Sequence, residues 1–119
     1  MKIHYVVMQA IPLKTGKHHG IFKTATAHLW VARDNHRDCV PRAVDYLIKQ
    51  GWEPTGVDRG PMEFTPESIS VSSRSSREDL AWKNKLLFGY QEARTRGISA
   101  LILAVPEGPE PDSDAIVYH

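Results

Sequence analysis

The stretch NHRDC, residues 35–39, holds residue types that metal sites and nucleophilic enzymes often use. His36 and Cys39 are three residues apart, and Cys39 is the only cysteine of the chain. A zinc site usually needs four ligands, and this stretch offers two. A nucleophilic thiol needs a base and an oxyanion hole, and no Gly-rich loop that could form such a hole follows Cys39. We therefore interpret Asn35 or Asp38 as a helix cap and Cys39 as a small apolar residue, and we predict no metal site.

The segment SSRSSRE, residues 72–78, is the strongest candidate for an anion-binding site. Backbone N–H groups at the start of a helix point outward, and two arginines accompany them here. The candidate binding residues are Arg74, Ser75, Ser76 and Arg77. A capping box, with Ser75 as the cap and Glu78 reaching back, would occupy two of the same donors. Neither a Walker lysine motif nor G-x-G-x-x-G occurs in the chain, so we predict no cofactor.

His28 and Trp30 belong to an alternating segment, residues 22–32, that predicts a strand. Because successive side chains point to opposite faces, His28 and Trp30 share one face, while Leu29 and Val31 share the other. The apolar side chains of Leu29 and Val31 are typical of a sheet face that is buried under helices. A bare face carrying a tryptophan would be an exposed apolar patch, which soluble monomers avoid, so we expect either the added hairpin or another molecule to cover it.

The molecule that covers this face decides the predicted function. A second copy of the chain is the interpretation we favour, and it predicts a homo-oligomer. A small-molecule or protein ligand contacting His28 and Trp30 is the alternative. Phe88 lies opposite the apolar arc of its predicted helix and is a further candidate contact. RNA binding is disfavoured, because the RNP1-type run K/R-G-F/Y-G/A-F is absent and the basic excess is small.

Hydrophobic periodicity indicates the elements that position these residues. Strands are predicted over 3–10, 22–32, 52–57, 62–73 (interrupted by Pro66) and 98–105, and helices over 38–50 and 75–96. The turn that contains KHHG is interpreted as a solvated hairpin tip. From the second strand onward the order resembles the split βαβ pattern of ferredoxin-like folds. We therefore predict an α+β, ferredoxin-like two-layer sandwich: an antiparallel sheet, two helices on one face, and an extra N-terminal hairpin strand at the edge.

The bulk composition is that of an ordinary globular protein, with 41% hydrophobic and 24% charged residues in a chain of 119. We predict one domain over residues 1–106 and an acidic, Pro-rich tail over 107–119. The tail holds four of the acidic residues and no Lys or Arg, so residues 1–106 carry a formal charge of +5. The longest apolar run, 100–105, is too short to span a bilayer, and a single cysteine favours a reducing, cytoplasmic compartment.

These observations favour a non-catalytic binding or regulatory module, dimeric through its open sheet face, with His28, Trp30 and Phe88 as binding residues. The alternative is a small enzyme that uses His36 and Cys39 near the start of the first helix, together with His28.

Overall fold

A computed structural model describes residues 2–68, 77–107 and 116–118, with side chains described except at 68, 77–79 and 116–118. In chain order the elements are β1 (Ile3–Pro12), β2 (Phe22–Ala32), α1 (Cys39–Lys49), β3 (Trp52–Glu63), α2 (Arg77–Arg96), β4 (Ile98–Pro106) and β5 (Ile116–Tyr118). The strands form one sheet in the order β3-β1-β2-β4-β5, and every neighbouring pair is antiparallel. The predicted α+β class is confirmed.

Strand β1 lies inside the sheet, between β2 and β3, so its predicted place as an added edge strand is wrong. It pairs with β2 from Ile3↔Ala32 to Ala10↔Ala25. Every residue from Ile3 to Met8 is buried. A strand whose side chains are buried on both faces is expected inside a sheet rather than at its edge.

The two helices pack on opposite faces of the sheet, so the prediction of two helices on one face is wrong. The α1 face buries alternate strand residues beneath the helix, namely Val6, Met8, Ala10, Ala25, Ala27, Leu29, Val31, Ile98, Ala100, Ile102 and Ala104. The α2 face buries the intervening ones, namely Ile3, Tyr5, Val7, Trp30, Ala32 and Leu101. The predicted split of β2 between its two faces is correct, but each face has its own helix.

The start and end of α1 follow local rules that the sequence contains. The Asn35 side chain accepts a hydrogen bond from the backbone N–H of Arg37, in a 3-10 turn that leads into the helix. Ala43 and Leu47 repeat at four-residue spacing and are fully buried. Gly51 follows the helix with φ 93°, a left-handed conformation that glycine adopts without strain and that commonly ends a helix.

Strand β3 forms one outer edge of the sheet, as Pro54 predicts. It is a single strand from Trp52 to Glu63 rather than the two predicted segments. Its pairing with β1 is irregular, with three register shifts, one of them between Val7↔Arg59 and Met8↔Val57. The predicted strand over 67–73 and the capping box at Ser75 lie for the most part outside the described residues.

The turn between β1 and β2 is folded back onto the domain. The prediction of a solvated hairpin tip is therefore correct for His19 and wrong for His18. His19 is exposed, but His18 is buried and stacks on Trp52 with 4.4 Å between ring centroids. The Nε2–H group of His18 donates to the carbonyl of Gln50 at 3.0 Å.

At the other end of the chain, Ile116–Tyr118 pairs with β4 and adds a strand to the sheet. None of the described helices combines the length and the hydropathy needed to cross a bilayer.

Candidate functional site

The structure places Cys39 in the interior and His36 at the surface. Cys39 is fully buried at the start of α1, and its thiol lies 3.8 Å from the carbonyl oxygen of Asn35. Burial raises the pKa of Cys39, Arg33 opposes this, and Asp38 adds to it. His36 is exposed in the preceding turn. A buried, protonated thiol is a poor nucleophile, so this geometry argues against the enzyme alternative.

Trp30 lies on the α2 face and has no exposed surface, which overturns the premise of a bare sheet face. Gly89 of α2 rests directly on its indole ring, and a Cβ at that position would collide with the ring. Ser99, in register with Trp30, donates its hydroxyl to the Gly89 carbonyl at 2.5 Å and ties the helix to β4. Trp30 is therefore covered by its own helix rather than by a partner.

His28 lies on the same face one step along β2, at the rim of the helix-covered region. Its Nδ1 is 2.5 Å from the hydroxyl of Tyr5, and Trp82 of α2 contacts its ring edge-on, with 5.0 Å between centroids. Burial raises the pKa of Tyr5, which the guanidinium of Arg59 opposes. Burial also lowers the pKa of His28, and Arg59 lowers it further. The phenol therefore keeps its proton, and its hydroxyl is hydrogen-bonded to a neutral imidazole.

A row of polar side chains continues along the α2 face beyond His28. The amide Nε2 of Gln9 donates to Asp58 Oδ2 at 2.5 Å and to Thr26 Oγ1 at 3.1 Å. The Thr26 hydroxyl is also 3.2 Å from Gln9 Oε1. The row spans β2, β1 and β3, and Arg59 is the next residue along β3.

A cavity of about 220 Å³ opens beside β4. It is lined by Trp30, Tyr46, Lys85, Phe88, Gly89, Glu92, Arg96, Ser99, Ala100 and Leu101. Strand β5 pairs with β4 only at residues 102–104, so within the described residues no outer strand covers 98–101. The structure thus brings together two of the three predicted binding residues, Trp30 and Phe88, and places His28 in a different cluster.

The lining of this cavity carries a net positive charge. Lys85 and Arg96 contribute two cations, and Glu92 contributes one carboxylate. Glu92 lies 3.6 Å from Arg96, in an exposed pair of the kind that contributes little to stability. Phe88 is 49% exposed, so about half of its surface is accessible to a molecule that enters.

Most of the predicted anion site lies outside the described residues. Arg74, Ser75 and Ser76 lie outside the described residues, and Arg77 is the first residue of α2. Over residues 2–68, 77–107 and 116–118, no three His, Cys, Asp or Glu side chains are grouped so that they could hold a metal ion.

Several residues of these two clusters were missed by the sequence interpretation. Tyr5 and Gln9 share a face of β1 by simple alternation, and that face pairs with His28 and Thr26 of the adjoining strand. This signal was readable once the hairpin was predicted. The contribution of Arg59 was not readable, because it depends on the irregular pairing of β3.

No protein-family model matches the chain, and no curated protein or solved structure shows a significant match to it.

Proposed function

We propose that the protein is a non-catalytic binding module whose ligand occupies the cavity beside β4. One observation carries the proposal: the cavity beside β4 is lined by three aromatic residues, Trp30, Tyr46 and Phe88, and its charged lining residues, Lys85, Arg96 and Glu92, have a net positive charge. Concave apolar sites with a few converging polar groups are the usual form of small-molecule sites.

The size and charge of the cavity define the ligand class. An engineered apolar cavity of about 150 Å³ accommodates benzene, so 220 Å³ fits a single ring with a small substituent. Lys85 and Arg96 favour a ligand whose substituent is acidic. We therefore expect a small aromatic or branched carboxylate, with its ring beside Phe88 and its carboxylate at the mouth.

The polar groups of the cavity support binding rather than catalysis. The Ser99 hydroxyl is committed to the Gly89 carbonyl, and Glu92 is paired with Arg96. Catalysis by a serine or a carboxylate requires a positioned base or acid within hydrogen-bond reach of the reacting atom. The residues that line this cavity offer recognition groups instead.

A charge-matched pair of ligands tests the proposal. Benzoate and benzyl alcohol have the same ring but differ in charge, and binding is measured by amide chemical shifts of Ser99 and Ala100 during titration. We expect benzoate to bind about tenfold more tightly, since a charged hydrogen bond contributes roughly 1.5–3 kcal/mol. Absence of shifts at these residues with either ligand would overturn the proposed site.

Variants assign the roles of the lining residues. Lys85→Gln and Arg96→Gln should weaken benzoate but leave benzyl alcohol unchanged, because they remove charge alone. Phe88→Ala should weaken both ligands, because it removes ring contact. Lys23→Gln, at an exposed lysine of β2 outside the cavity, is the matched control and should change neither.

Homo-oligomerisation remains a proposal, although the sheet face expected to mediate it is covered by α2. Any dimer has to use another surface, such as the partly exposed α2 around Leu80 and Phe88. Sedimentation of the wild type and of Phe88→Ala tests this, and a single monomeric species for both would rule it out. A cytoplasmic location is likewise proposed, on the basis of the lone cysteine.

A further inference from the structure

The α2 face holds a second cluster, formed by residues that the cavity beside β4 does not use. Val7 of β1 pairs with His28 on one side and with Arg59 on the other. Residues directly opposite each other in antiparallel strands point to the same face, so His28 and Arg59 flank Val7 on the α2 face. Two strand spacings separate their backbones, or about 10 Å.

The irregular pairing of β3 is what presents two consecutive side chains on this face. A regular strand would send Asp58 and Arg59 to opposite sides. Extra residues in one strand of a pair break this alternation, and the register shifts of β3 lie beside these two residues. Asp58 is bonded to Gln9 on the α2 face, and the charge of Arg59 acts on Tyr5 and His28 of the same face.

The imidazole of His28 is prepared as a hydrogen-bond donor. We assign Tyr5 as the donor to Nδ1, which places the proton of the neutral ring on Nε2. Among the described residues Nε2 has no hydrogen-bond partner, and the ring is held between Tyr5 and the edge of Trp82. Its orientation is therefore fixed before any ligand arrives.

Among the described residues, the nearby polar side chains are hydrogen-bonded to each other and not to His28 Nε2 or Arg59. Asp58 accepts from Gln9, and Gln9 and Thr26 are bonded to each other. Arg59 forms no ion pair within the described part of the chain. The donors His28 Nε2–H and the Arg59 guanidinium are left, and both suit an oxygen anion.

We infer that His28 and Arg59 form an oxyanion-binding site on the α2 face, with Tyr5 as the residue that positions the imidazole. The shared chemistry is that of a carboxylate or a phosphate group, whose oxygens accept from an imidazole N–H and a guanidinium together. This site is distinct from the cavity beside β4, because none of its residues lines that cavity.

The test uses the wild-type chain and the imidazole nitrogens of His28, which two-bond proton–nitrogen NMR spectra resolve. Inorganic phosphate and acetate are titrated separately at about pH 7.5, above the ordinary pKa of histidine, with chloride added to hold the ionic strength constant. We expect a saturable shift of Nε2 with at least one anion. The two affinities rank phosphate against carboxylate at this site, and either the absence of a saturable shift with both anions or a shift that chloride reproduces overturns the site.

Four variants make the result specific. Arg59→Gln, at an exposed position, should weaken the anion about tenfold, while Arg37→Gln, an exposed arginine on the other side of the domain, should not. Tyr5→Phe should weaken the anion and also mix the two neutral tautomers of His28, which a merely structural role would not do. Equal affinity in Arg59→Gln and the wild type would overturn the proposal, and Lys85→Gln, which alters only the cavity, should leave it intact.

Discussion

The two faces of the sheet are built from the same strands but differ in chemistry. The face under α1 is closed by aliphatic residues, with Phe22 and Trp52 at one end. The face under α2 buries Trp30 and Phe64 but also carries Tyr5 and His28, hydrogen-bonded to each other at the border of its core. Alternation along a strand thus separates a stabilising face from a chemically equipped one, and both candidate sites involve the second face.

The largest expected effect tests whether packing on the α2 face stabilises the domain as much as packing on the α1 face does. Trp30→Ala should lower the free energy of unfolding by about 3–5 kcal/mol, because it removes a fully buried indole. Leu47→Ala on the α1 face should cost about 2–5 kcal/mol for the same reason. Urea denaturation measures both. A Trp30→Ala cost below about 1 kcal/mol, beside a large Leu47→Ala cost, would mean that only the α1 face stabilises the domain.

Gly89 sharpens the comparison, because only the α2 face depends on so close an approach of helix to sheet. Gly89→Ala places a methyl group on the Trp30 ring and should cost about 1–3 kcal/mol, as overpacked cores do. Gly56→Ala is the matched control, since a Cβ there meets nothing within 4 Å and φ is not positive. Equal stability of the two variants would show that α2 lies farther from β2 than the structure has it.

The hydrogen bond at the rim of the α2 face gives a smaller effect. Tyr5→Phe removes the donor to His28 Nδ1 and should cost about 0.5–1.5 kcal/mol, the usual net contribution of one hydrogen bond. Tyr46→Phe, on α1 beside the cavity, is the control for loss of a phenol hydroxyl. Thermal unfolding of both variants measures the difference. A Tyr5→Phe variant as stable as Tyr46→Phe would show that this bond adds nothing to the stability of the α2 face.

Much of the fold could be predicted from local patterns. The α1 helix, the end of α2 at Arg96 and the edge position of β3 all rest on residues close in sequence, and the structure confirms them. The central place of β1 and the side on which α2 packs could not be predicted. Both depend on which strands pair over long sequence separations, and the β2 pattern fits a helix on either face.

The candidate sites were predictable only in part, for a related reason. Alternation placed His28 and Trp30 on one face, and helical geometry set Phe88 apart from the apolar arc. The partners Tyr5 and Arg59 come from other strands, and the side chains of one cavity come from both helices. Sequence spacing within one strand or helix carries no information about contacts between different elements.

The smallest predicted effect concerns the pH dependence of stability, which we expect to arise on the α2 face and at the hairpin turn. Burial lowers the pKa of both His28 and His18 in the folded chain. Just below about pH 6.5, the ordinary pKa of histidine in an unfolded chain, the unfolded state binds more protons than the folded one. The free energy of unfolding should therefore fall as the pH drops through that value, and level off below the lowered pKa values. His28→Gln should flatten part of this slope and His18→Gln another part, measured by urea denaturation across the range. A slope unchanged in both variants, or stability that rises on acidification, would show that neither ring is held neutral by the fold.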